Sequence, residues 1–275
     1  MVDKIIAAKT KVERADKHIR ELEAELVRFH DANPYKFTAQ RDPNTREMVY
    51  YVTEVAEIPL PLSAIAGDVL QNLRSALDYL AHAFVAAPNR DTGYPICDPA
   101  KVGTKAEKNY FDVKVHGMVP DAKKIIDRFK PQKGGDETLW HLHELNRFEK
   151  HRLLVAVAAS LQSLNVAQHI AAGQRGHHIP SVGASVRVRK SADNKLVVSY
   201  MNDVFIPPKK RLCPLKVGDK LLVDTPDAKV NANIDFRFGV AFNEPKIVEC
   251  DSITATLYKM RDLVVEIVGC FAALP

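Results

Sequence analysis

The apolar residues of this chain change their spacing twice, and that change limits what it can fold into. Up to about residue 172 they recur at helical intervals, from about 183 to 250 they alternate, and from Ile253 to Ala273 they return to helical spacing. A helix hides residues three and four apart, whereas a strand hides every second residue. The chain therefore has to build both a helical layer and a β section. Because a helix follows the β section, that section is inserted in the helical part. The expected fold is α+β: a helical bundle with one early strand over 1–172, an antiparallel β section over 183–250, and a helix over 251–275 that returns to the bundle.

Within the first part, Ile5, Val12, Ile19 and Leu26 repeat every seven residues, and Ala8, Ala15, Leu22 and Phe29 fill the positions three later. This is the seam of a bundle helix or a coiled coil, ending before Asn33-Pro34. The small alanines favour packing inside the chain's own bundle over a homodimer seam. Residues 48–58 are rich in β-branched and aromatic side chains and predict a strand. Long helices are expected over 62–87 and 137–171, and two shorter ones, split at Gly117, over 104–130. The β section predicts a hairpin around Ala192-Asp193-Asn194, short strands at 219–224 and 245–250, and a strand from Ile234 to Phe242 with one buried face.

Composition narrows the function classes. Apolar residues make up 46% and charged residues 27%, which suits a folded globular protein rather than a disordered one. A net charge of +5 permits contact with RNA without demanding it. Cys97, Cys213, Cys250 and Cys270 are far apart and form no C-x-x-C, so they read as thiols of a reducing compartment. The opening MVDKIIAAKTKVER has no apolar signal core, and Leu263 to Leu274 is too short to span a bilayer. A cytoplasmic protein without membrane contact is expected.

Placed at about 100° per residue, Ile65, Val69, Leu73, Leu77, Leu80 and Phe84 cover one face of the 62–87 helix. Beside that face, Asp68, Asn72, Ser75, Tyr79 and His82 form a polar stripe, with an Asp78–His82 pair in reach at i,i+4. On the 137–171 helix, Glu149 and Arg152 point into an apolar face centred near Leu145, and Asn146 lies at its edge. A buried charge is costly unless paired, so Glu149 and Arg152 are expected to satisfy each other or groups such as Asp68, Asn72 and Asp78. The two helices are then expected to lie side by side and antiparallel. Asp68, Asn72, Arg74, Asp78, Tyr79, His82, Asn146, Glu149, His151 and Arg152 are the candidate lining of a polar cleft between them.

Other chemistries lack their motifs. His141, His143 and His151 miss the zinc-protease spacing because position 147 is arginine. His177-His178 has no carboxylate nearby. There is no Gly-x-Ser-x-Gly elbow, Walker loop or Gly-x-Gly-x-x-Gly. No metal and no cofactor is expected. Arg187, Arg189, Lys190 and Lys209-Lys210-Arg211 make the β section locally basic, which is weak evidence for phosphate contact.

Several strings resemble a family of uncharacterised bacterial proteins. They are PLSAIAGDVLQNLRSALDYLAHAFV (61–85), Tyr94-Pro95-Ile96, GMVPDAKKIIDRFKPQ (117–132) and LWHLHELNRFEKHRLL (139–154), in that order. The resemblance implies the bundle but no activity. A fainter one is to HEPN-type helical bundles, many of them metal-independent ribonucleases whose signature arginine and histidine are separated by four to six intervening residues. Here Tyr79 stands where the histidine after Arg74 would be, and only three residues separate Arg147 from His151. The leading expectation is therefore a non-catalytic binding or interaction module. The alternative is a HEPN-like ribonuclease or RNA-binding protein, with RNA or a second copy of the chain as partner.

Overall fold

A computed structural model describes residues 2–102, 110–152, 157–165, 188–190, 196–198, 205–206, 212–224, 226, 236–244 and 246–274. In chain order the elements are α1 (Val2–Asp31), β1 (Tyr35–Arg41), β2 (Met48–Val55), α2 (Leu60–Phe84), α3 (Pro99–Val102), α4 (Pro120–Phe129) and α5 (Glu137–Arg152). There follow β3 (Val157–Asn165), β4 (Val188–Lys190), β5 (Leu196–Val198), β6 (Phe205–Ile206), β7 (Lys220–Asp224), β8 (Phe236–Glu244), β9 (Val248–Ser252) and α6 (Ile253–Ala272). The fold is α+β, with the C-terminal helix in the helical part.

The chain divides into two compact units. One comprises Met1–His30, Ile58–Val157 and Phe242–Pro275; the other comprises Asp31–Glu57 and Ala158–Ala241. In the helical unit, α2 is central and packs against both α5 and α6. It buries Leu62, Ile65, Val69, Leu70, Leu73, Leu77, Leu80 and Phe84, each such side chain contributing about 1.5–3 kcal/mol by leaving water. Pro61 suits the first turn, where the missing N–H has no intrahelical partner. Extended Val85 ends the helix before Pro88. Phe84 meets Phe271 of α6 edge-on at 5.2 Å. Ala8, Ala15, Ile19 and Leu22 of α1 are fully buried, so its heptad seam is covered within this unit. Tyr258 of α6 donates to Glu23 at 2.9 Å, and Arg261 pairs with Asp16, fastening α6 to α1.

In the second unit, β1 and β2 form a hairpin running from Tyr35↔Val55 to Arg41↔Met48, with a bulge after Lys36. Asp42 closes its turn by accepting from the N–H groups of Asn44 and Thr45 at 2.9 and 3.1 Å. β7 pairs antiparallel with β2, giving the order β1-β2-β7. A further sheet has the order β6-β3-β8-β9, of which β9 and the end of β8 belong to the first unit, and β4 pairs with β5. Phe236 meets Phe37 edge-on and Phe238 meets Tyr35 at a tilt, each pair with ring centroids 4.8 Å apart.

Several expectations need correction. The helix expected over 137–171 stops at Arg152, and Val157–Asn165 is a strand. An apolar run such as Val155 to Leu161 fits either period, and pairing of Leu164 and Asn165 with Ile206 and Phe205 decides it. The early strand is the second arm of a hairpin whose first arm, β1, is missed because its apolar residues are sparse. Both arms group with β7 rather than with the bundle. The alternation expected through Phe242 is lost from Gly239, where β8 is buried on both faces as far as Phe242. The turn at 192–194 lies outside the described residues.

Candidate functional site

α2 and α5 run antiparallel. Gly67 lies under the carboxylate of Glu149; two turns on, the charge of Arg74 acts on His143, two turns earlier in α5. The seam between them carries polar groups that an apolar helix contact would exclude.

Its centre is Arg74, which is 7% exposed. Nη2 donates to the Tyr94 carbonyl at 2.8 Å and stands 3.1 Å from Asp78 Oδ1. The same Asp78 oxygen accepts the Tyr94 N–H at 3.0 Å. One carboxylate oxygen thus serves a guanidinium on its own helix and the backbone of the 93–97 segment. A Cβ on Gly93 would stand 2.9 Å from that oxygen, so a side chain at position 93 would push the Asp78 carboxylate aside. The segment is held further along by Cys97, whose N–H donates to the Pro131 carbonyl at 3.3 Å and whose carbonyl accepts the Lys133 N–H at 3.0 Å. Tyr110 donates to the Ile96 carbonyl, also at 3.3 Å.

α5 supplies the other wall. Asp136 caps its start by accepting the Leu139 N–H at 2.9 Å. His143, Asn146 and Glu149 follow at three-residue intervals and therefore share a face. Burial, and then the Arg74 charge, push the His143 pKa down to about 4; Arg147 and Lys114 act in the same sense, and Glu144 opposes them. Buried Glu144 accepts both Nε and Nη2 of Arg147, at 3.0 and 2.6 Å. Burial raises the Tyr94 and Tyr110 hydroxyls above their usual range, against the pull of Arg74. At neutral pH the seam holds a neutral imidazole and two protonated phenols.

Four buried polar atoms of this cluster have no hydrogen-bond partner among the described residues: Arg74 Nη1, Tyr94 Oη, His143 Nδ1 and Asn146 Oδ1. Two can donate in any state, one accepts, and the imidazole nitrogen does either according to tautomer. Such a set can hold a polar molecule. It is poorly suited to moving protons, since a histidine with a pKa near 4 is a weak base at neutral pH.

The expected lining divides. Arg74, Asp78, Asn146 and Glu149 belong to the buried seam. Asp68, Asn72, Tyr79 and His82 follow another line along α2. Asp68 is exposed, Tyr79 is 39% exposed, and Asn72 accepts from Lys11 of α1 at 3.3 Å while donating to the Asp68 carbonyl at 2.8 Å. The His82 carbonyl accepts from Lys4 at 2.8 Å. Asp78 does not turn to His82, as the i,i+4 spacing suggests, but to Arg74 on the preceding turn, where burial makes the ion pair stronger. The side chains of His151 and Arg152 lie outside the described residues. Tyr94, His143, Gly67 and Tyr110 are missing from the expected lining. Tyr94 stood out in sequence only through the Tyr94-Pro95-Ile96 resemblance, and His143 only through a metal motif that it fails.

Among the described residues no three His, Cys, Asp or Glu side chains are grouped to hold a metal, and no helix is long and apolar enough to cross a membrane. Comparison with family models, with curated proteins and with solved structures finds no match to this chain.

Proposed function

We propose that this protein is a non-catalytic cytoplasmic binding module whose ligand sits in the polar seam between α2 and α5. The observation that carries this reading is the set of four buried, unpartnered atoms on Arg74, Tyr94, His143 and Asn146. Each such group costs about 1–3 kcal/mol when left unsatisfied. Nearly all buried polar groups in folded proteins have partners, so a cluster without them points to a bound molecule that supplies them. The four cysteines lie far apart in sequence and form no C-x-x-C, which fits a reducing compartment.

The burial of Arg74 supports binding over RNA cleavage. A ribonuclease arginine must reach a phosphate, whereas Arg74 points inward and is held by Asp78 and the Tyr94 carbonyl. The burial of the α1 seam likewise supports packing within one chain over a coiled-coil homodimer.

Native mass spectrometry of gently purified protein tests the reading. A co-purifying small molecule is expected on the native chain and should be lost from the Tyr94→Phe, Asn146→Leu double variant. Retention of the adduct by the variant would remove the seam from consideration. In parallel, the native chain should leave mixed RNA intact without metal. Cleavage that vanishes in a His82→Ala, His151→Ala double variant would establish the ribonuclease alternative.

A further inference from the structure

We infer that the outward face of α1 is a contact between two copies of this chain, the two α1 helices lying antiparallel with Glu13 of each against Lys17 of the other.

The heptad seam from Ile5 to Phe29 is covered inside the bundle, so α1 can meet a partner only through its opposite face. At about 100° per residue that face runs through Ile6, Thr10, Glu13, Lys17, Ala24 and Val27, all of them exposed. Ile6 and Val27 are 55% and 58% exposed and stand near its two ends.

The charges of α1 are divided along its length. From Asp3 to Arg20, the cations Lys4, Lys9, Lys11, Arg14, Lys17 and Arg20 stand against Asp3, Glu13 and Asp16. From Glu21 to Asp31, Arg28 alone stands against Glu21, Glu23, Glu25 and Asp31. The first part is therefore net basic, the second is net acidic by the same amount, and the two cancel. Lys11, Arg14, Lys17 and Arg20 follow one another at three-residue steps, and Glu21 and Glu25 are one turn apart. Like charges so spaced repel on a lone helix. A second α1 laid antiparallel puts the basic part of each on the acidic part of the other. The outward charges are available for this. Among the described residues Lys9, Glu13, Arg14 and Lys17 are in no ion pair, although Glu13 and Lys17 are at i,i+4. The inward carboxylates Asp16 and Glu23 are held by Arg261 and Tyr258 of α6 and take no part.

The side chains select one register. With Glu13 on Lys17 of the second copy, two-fold symmetry repeats the pair, sets Thr10 against Arg20, and seats Ile6 on Ala24 beside Val27 at both ends. Sliding one copy by seven residues sets Lys17 on Arg20 in one direction and Ile6 on Lys17 in the other. A single helix face is smaller than the ~800 Å² per partner of a stable complex, so the dimer should be reversible.

The test is sedimentation equilibrium at low ionic strength over a range of protein concentrations, on the native chain, Glu13→Lys, Lys17→Glu and the double variant. The native chain should form dimers that dissociate as salt is added. Each single change sets like charges together at both symmetric contacts and should raise the dissociation constant at least about tenfold. The double variant regains opposite charges and should regain the native constant. An equimolar mixture of the two single variants should also associate, because only the mixed dimer brings opposite charges together. Both changed side chains are exposed, and circular dichroism checks that the helices are intact. A native chain that stays monomeric overturns the inference. Dimers that the single changes leave equally tight use another surface and overturn it too. Single changes that neither the double variant nor the mixture reverses overturn the antiparallel register.

Discussion

The carboxylate of Glu149 occupies the space that a side chain at Gly67 would take: a Cβ there would stand 2.5 Å from Glu149 Cδ and 2.6 Å from Oε1. The absence of one methyl group on α2 therefore leaves the space that the Glu149 carboxylate of α5 takes. Gly67→Ala combines two opposing effects. Alanine raises helix propensity by about 1 kcal/mol, but its methyl would force the carboxylate at the far end of the Glu149 side chain to swing aside. The expected outcome in urea unfolding is a smaller gain in the native background than in a Glu149→Ala background, where it reaches about 1 kcal/mol. Equal effects in both backgrounds would show that the carboxylate does not sit over Gly67.

Tyr94 gives a prediction of opposite sign to most core substitutions. Its side chain is fully buried, and its hydroxyl has no partner among the described residues. Tyr94→Phe keeps the ring and removes the orphan oxygen. In the ligand-free protein it should raise stability by about 1 kcal/mol. A loss of stability measured by chemical denaturation would mean that the hydroxyl is satisfied in the empty protein.

The helical architecture was legible because the relevant signals are local. The seven-residue repeat from Ile5 to Phe29 and the apolar face from Ile65 to Phe84 each appear along one stretch of chain. The seam was only half legible, for a physical reason. Arg74, Asp78, Asn146 and Glu149 interrupt apolar faces and can be seen as costly. Tyr94, by contrast, joins them through its backbone N–H and carbonyl, which no side-chain pattern reports. His143 is a one-turn neighbour of Asn146, but its role depends on the Arg74 charge across the helix contact. Gly67 is informative only when Glu149 is known to lie above it. Likewise, Val157–Asn165 became a strand through its partners, and its local sequence fits a helix equally well.

His143 should make the native protein less stable in mild acid. Its pKa falls from the usual 6.5 to about 4 on folding. Above pH 6.5 the imidazole is neutral in both states and contributes no pH dependence. As pH falls below 6.5 the unfolded chain takes up a proton that the folded chain resists, so stability declines until about pH 4, where both states are protonated. The slope approaches about 1.4 kcal/mol per pH unit at most. His141, also lowered mainly by burial, adds in the same direction. Unfolding free energies of His143→Gln should therefore show a shallower decline over this window, leaving the His141 part. An unchanged slope would place His143 in contact with water.

Asp78 separates charge from hydrogen bonding at the heart of the seam. Its Oδ1 accepts from Tyr94 N–H at 3.0 Å and faces Arg74 Nη2 at 3.1 Å. Asp78→Ala removes both and leaves a buried guanidinium with the Tyr94 carbonyl alone. Stripping one partner from a fully buried ion pair costs about 3–5 kcal/mol. Because the Asp78 side chain is 35% exposed, solvent screens part of that, and about 2–3 kcal/mol is expected. Asp78→Asn keeps an oxygen for the Tyr94 N–H and loses only the charge, so it should cost about half as much. Urea denaturation of both variants separates the two contributions. Equal destabilisation by Ala and Asn would assign the whole contribution to charge.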